Sequence, residues 1–271
     1  SDIVVKTMLL GMLLFLYGCH NSKSPRMDKI VRVNTLLVDS LATIETLNLF
    51  SNLKSLSKDR VLFGHQESTA YGVGWTHEGI NIESDIKKVC GDFPAVYGWD
   101  IGNIGKRTNN DCVPFSVMKK LIIDAFERGG VNTISSHMHN PFTGKNYGDI
   151  TPSISHILIG GSHHDNFIEK LDLIADFIED LKSEDGVPIP IIFRPFHEHN
   201  GDWFWWGKGP ATEEEFISLW RFTVDYLRHN RNLHNLIYAF APVRSRMSYP
   251  LTTSEYLYGY PGDNYVDVLG I

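Results

Sequence analysis

Six short apolar runs punctuate this chain, and each ends in polar or aromatic residues. Val61-Leu62-Phe63 leads into Gly64-His65-Gln66, and Ala95-Val96-Tyr97 into Gly98-Trp99-Asp100. The run from Val131 to Ile134 leads into Ser135-Ser136-His137, and that from Ile189 to Phe193 into Arg194 and Glu198. Leu236 to Phe240 leads into Ala241-Pro242, and Val266 to Leu269 into Gly270-Ile271. Helical spacing of apolar residues marks Phe115 to Arg128, Asp165 to Lys182 and Glu213 to His229, with Ala42 to Ser57 ahead of the first run. Thr212 and the three glutamates after it suit a helix N-terminus. Strand alternating with helix predicts a parallel α/β sheet with right-handed crossovers. No glycine-rich phosphate loop follows the first run, which argues against a nucleotide-binding sheet. Polar residues gather instead at the strand C-termini, where a (β/α)8 TIM barrel builds its active site. The expected fold is that barrel, with about six of its eight strands present.

At 271 residues the chain suits one large domain. Its net charge of −7 and the lack of a dense basic run argue against nucleic acid as a partner. Lys6 precedes an apolar run from Met8 to Tyr17 that is too short to span a bilayer as a mature helix. It reads as a secretory signal. Leu16-Tyr17-Gly18-Cys19 resembles a bacterial lipoprotein cleavage box, with an ordinary signal peptide as the alternative. The expected organisation is a signal over residues 1–19, a polar tether over 20–41 and the barrel over 42–271. Cys19 would carry the lipid, the only membrane contact of an exported, monomeric lipoprotein at the cell surface or periplasmic face. Export permits a disulfide between Cys90 and Cys112, but two free thiols fit equally well.

The chemistry concentrates in Arg194 to Gly207, RPFHEHNGDWFWWG. A strand delivering a carboxylic acid beside indoles suits sugar cleavage: the acid protonates a glycosidic oxygen and flat rings stack on pyranose faces. Glu198 is the candidate acid, and a structural pair with Arg194 is the bland alternative. Strand alternation would turn His197 and His199 away from Glu198, unless the strand end bulges. His137 could donate to a sugar hydroxyl or tie down its own loop, and Asp100 could contact sugar or scaffold a loop. A zinc site of His137, His197 and His199 lacks a strong ligand spacing. No cofactor or metal is expected.

These segments resemble glycoside hydrolase family 26. The resemblance rests on GHQ at 64–66, YGWD at 97–100, HMHNP at 137–141, RPFHEHNGDWFWWG at 194–207 and YPGDNYVDVLG at 260–270, in order. It implies a (β/α)8 barrel and retaining hydrolysis, most commonly as an endo-β-1,4-mannanase. It implies that Glu198 is the acid/base and that His197, Trp203 and His137 contact substrate. Arg194, Asn200, Trp206 and Asp100 complete the expected binding set. The chain departs from the family pattern at His199. The family's nucleophile is a second glutamate, ending strand seven, and no glutamate here matches it; Glu255 lies in a helix-like stretch. The expected nucleophile therefore lies beyond residue 271, and the 271-residue chain is expected not to complete the double displacement alone. The expected partner is β-mannan. The alternatives are another β-glycan, such as xylan or mixed-linkage glucan, or a non-catalytic glycan-binding protein.

Overall fold

The structure is a computed structural model that describes residues 37–77 and 82–271. The expected signal, Cys19 and most of the expected tether lie outside the described residues. Among the described residues six parallel strands form one sheet in chain order. They are β1 (Gly64–Gln66), β2 (Val96–Asp100), β3 (Val131–Ser135), β4 (Ile191–Arg194), β5 (Leu236–Phe240) and β6 (Val268–Leu269). The register places Asp100 beside Ser135 and Ser135 beside Arg194, so the polar ends of β2, β3 and β4 lie level. Each strand pairs with the one before it, the order of a (β/α)8 barrel rather than of a sheet wound both ways from its centre.

The helices are α1 (Ile44–Leu56), α2 (Asp85–Cys90), α3 (Phe115–Glu127), α4 (Ile154–Ile157), α5 (His164–Glu179), α6 (Glu213–Asp225) and α7 (Thr253–Tyr256). Apolar spacing forms the long ones: α3 buries Met118, Leu121, Ile122 and Ala125, and α5 buries Phe167, Leu171, Ile174 and Ile178. Thr212 caps α6 as its sequence predicts, in a reciprocal capping box with Glu215. A π-helical turn, Tyr226–Asn230, then ends that helix before the expected His229 boundary is reached as α-helix.

Other boundaries also differ from expectation. The first strand begins at Gly64, not Val61; Val61 is 98% and Phe63 58% exposed. Among the described residues β1 pairs with β2 alone and lies at a sheet edge, and Val61 and Phe63 before it face solvent while Leu62 is half-buried. The last strand is shorter than its apolar run because Asp267 is occupied below it. Its carboxylate accepts from the backbone N–H of Val38 (2.7 Å) and of Tyr238 (2.8 Å). The expected tether gives way to the fold before residue 42. Arg228 donates to the Val38 carbonyl, and His234 pairs with Asp39 at 2.7 Å. Cys90 and Cys112 are both free and exposed.

Candidate active site

β4 ends at Arg194, and the chain then turns rather than continuing the pleat. Phe196 (φ 49°) and Glu198 (φ 58°) adopt the left-handed region that residues with a Cβ rarely occupy. The Glu198 N–H donates to the Ala241 carbonyl beyond β5 (2.8 Å), which fixes this strained corner to the neighbouring strand end. The expected strand alternation therefore does not apply. Glu198 remains partly open, while His197 and His199 are buried.

The partly exposed Trp203 donates its indole N–H to Oε2 of Glu198 at 3.0 Å. The carbonyl oxygen of a neutral carboxyl is the better acceptor, so this bond favours the acidic proton on Oε1. Arg194 forms no ion pair with Glu198 among the described residues. Burial lowers the Arg194 pKa from its usual value, opposed by the charges of Glu198 and Asp100.

His137 enters from the end of β3. Its Nδ1 lies 2.9 Å from Oδ2 of Asp100, at the end of β2. Asp100 is buried, and it also accepts from the Ser135 hydroxyl (2.8 Å) and the Gly102 N–H (2.8 Å). Burial opposes charge on both partners, yet the shared hydrogen bond and opposite charges lower the Asp100 carboxyl and raise His137. Asp100 thus holds the histidine, a correction to its expected role in touching sugar. The His137 ring packs at 4.7 Å from His197, at 4.7 Å from Tyr147 and at 5.4 Å from Phe204. Burial, with His137 and Arg194 adding, pushes His197 down to about 3, so it is a neutral ring beside one that holds its proton more readily than a free histidine. Its Nδ1 is buried without a hydrogen-bond partner, the sort of exception that marks working sites. His199 turns away from both. It stacks on Phe216 at 4.3 Å and bonds the Tyr258 carbonyl at 2.7 Å. The three histidines do not converge on one ion.

Two expected sugar contacts are structural. Trp206 is fully buried and donates to the His197 carbonyl at 3.0 Å. Its neighbour Trp205, equally buried, donates to the Met138 carbonyl at 2.9 Å. An indole N–H seeks an acceptor once its ring is buried, and here two loop carbonyls provide it. Asn200 is engaged by backbone instead: its amide donates to the Val243 carbonyl (2.9 Å) and accepts from the Val243 N–H (2.7 Å). Sequence reading missed Tyr147, which lies in a loop with no distinguishing spacing, and Glu67. The buried Glu67 accepts from Asn109 (2.6 Å), whose amide also bonds the Asp100 carbonyl (3.0 Å). Burial, then the charge of Asp111, pushes the Glu67 carboxyl up to about 7.

A parallel barrel-ordered sheet thus sets a carboxylic acid, an indole and an aspartate-held histidine together at its C-terminal ends, where a (β/α)8 barrel builds its site. Residues 38–271 match Glycosyl hydrolase family 26, and the chain belongs to that family. It is 39% identical over 241 residues to a mannan endo-1,4-beta-mannosidase of Bifidobacterium adolescentis, covering 86% of this chain and 23% of that protein. It is 31% identical to mannan endo-1,4-beta-mannosidase A and B of Caldalkalibacillus mannanilyticus, covering 83% of this chain and 44% of that one. Among solved structures it resembles a beta-mannanase of Bacteroides ovatus, with TM-score 0.78 and 41% identity over 84% of this chain and 65% of that chain. The chain thus spans less than two thirds of the length of each of these relatives.

Proposed function

We propose that the protein is a retaining endo-β-1,4-mannanase with Glu198 as its acid/base. The carrying observation is the Trp203 N–H bond to Oε2 of Glu198, which leaves Oε1 to protonate the glycosidic oxygen. As that proton transfers, a second carboxylate attacks the anomeric carbon and the aglycone leaves with the proton. Glu198, now ionised, takes a proton from water as the water attacks the glycosyl ester and frees the nucleophile. Retention needs the two carboxyl groups roughly 5–5.5 Å apart. Asp100 is committed to His137, and Glu255 to Ser248 and Thr252 at the surface. By the family resemblance, a glutamate ending strand seven would fill that role. Mannan as substrate is supported by the printed activities of the two enzymes above. The exported, lipid-anchored location rests on the Leu16–Cys19 motif alone.

The test compares Glu198→Gln with the parent in a form that includes the strand-seven glutamate. The parent releases mannose oligomers from mannan, and the variant loses at least 1000-fold in kcat, on the order expected for losing both acid and base roles, while still binding mannohexaose in calorimetry. Equal turnover by the variant removes Glu198 from the chemistry. Binding without turnover by the parent itself favours the glycan-binding alternative.

A further inference from the structure

The loop after β5 carries a cation whose place at the catalytic acid is not explained by binding substrate. Arg244–Arg246 forms a short 3-10 turn that begins just after Val243. Asn200 bonds both backbone polar groups of Val243, so this turn is fastened to the segment that carries Glu198. A second tie runs two residues further on: Arg246 donates to Oδ1 of Asp202 at 2.7 Å. Trp203 follows directly on the second tie. The Arg246 guanidinium lies over its ring, 5.0 Å from the centroid. Gly201 admits the six-membered ring of that indole, because a Cβ there would sit 2.5 Å from the Trp203 Cη2 and Cζ2 atoms.

A tryptophan ring on a surface loop can swing about two side-chain torsions, and its N–H swings with it. A flat guanidinium stacked on one face, itself held by a neighbouring carboxylate, removes that freedom. The consequence reaches Glu198, since the same indole donates to Oε2. We propose that Arg246 is a positioning residue of the acid/base: stacked on Trp203 and paired with Asp202, it keeps the indole N–H on Oε2 of Glu198 and so reserves Oε1 for the proton. This inference rests on Glu198 being the acid/base. Arg246 acts through Trp203 and touches no reacting atom.

The test needs no turnover and is read on the 271-residue chain labelled with 5-fluorotryptophan. The chain has six tryptophans, and the Trp203 resonance is assigned by its loss in Trp203→Phe. With Arg246 present, Glu198→Gln shifts the Trp203 fluorine signal, reporting the bond to Oε2. With Arg246→Ala, the shift caused by Glu198→Gln falls to less than half. Arg246→Lys keeps a charge for Asp202 but no flat stack, and it behaves as Arg246→Ala does. Arg246 is half-exposed, so neither variant threatens the fold. A full Glu198→Gln shift in Arg246→Ala overturns the positioning role and leaves Glu198 untouched. No shift even with Arg246 intact overturns the role and also the premise that Trp203 is coupled to Glu198.

Discussion

Asp100 and His137 form a pair whose contribution depends on pH with a definite sign. Asp100 has a carboxyl lowered below 3.8, so its share of the stability is present above that value and is lost as pH falls through the lowered one. His137 is raised above 6.5, so its share is full below 6.5 and is lost as pH rises through the raised value. Together they stabilise most between pH 3.8 and 6.5. Asp100→Asn should therefore cost on the order of 2 kcal/mol at pH 5, discounted because His137 is partly exposed, and less at pH 9. Urea unfolding at the two pH values measures it. The His137 ring should also titrate lower in the variant, by proton NMR. Equal unfolding midpoints at pH 5 would show that the pair adds nothing. Glu67 runs the other way: its folded carboxyl lies near 7 against 4.5, so its share of stability is lost as pH rises through 7. Glu67→Gln should gain on the parent between pH 4.5 and 7, read from the same unfolding curves.

The elements that matter to the site are the β4 and β5 ends, joined by Asn200. Removing its amide leaves two Val243 backbone groups to find other partners, worth roughly 2 kcal/mol together. Asn200→Ala should lower thermal stability by about that much while mannohexaose affinity in calorimetry stays within about threefold of the parent. A large affinity loss at unchanged stability would restore Asn200 as a sugar contact. Much at this scale was legible in the sequence. The long helices announce themselves through apolar spacing, Thr212 through its glutamates, and Glu198 through the strand that carries it. The directions of His197, His199 and Asn200 were not legible, because they depend on two left-handed residues and on a cross-loop bond 43 residues away in sequence. Trp206 looked like a sugar platform because sequence shows an indole but not the carbonyl that claims its N–H.

For the whole molecule, the barrel order was readable from strand–helix alternation together with the polar strand ends, while the bounds of the outer strands were not. β1 is exposed along its length, and β6 exposes Leu269 at 56%. A cavity of about 490 Å³ lies beside these edges, lined by Phe50, Leu53 and Leu56 of α1 with Leu62, Val96, Ile192 and Val268. Apolar residues that would mark a strand core elsewhere face solvent here, so their pattern misplaced the first boundary. Unpaired strand edges next to apolar surface attract further apolar partners. The 271-residue chain should therefore raise the fluorescence of an anilinonaphthalene dye at neutral pH, with the folded circular dichroism signal intact. A native signal with no dye binding would mean that the edges are covered.

The left-handed backbone at Glu198 bears on how a silent version of the protein would behave. A residue with a Cβ is held there at a cost of about 1 kcal/mol, which glycine does not incur. Deleting the carboxyl as glycine should give a chain more stable than deleting it as alanine, by about that amount in thermal unfolding. Both would be inert. The corner that turns Glu198 out of the strand is thus one that the fold alone would relax, and under the proposed acid/base role a search for heat-tolerant variants, left unscreened for turnover, would admit loss of the reaction at position 198.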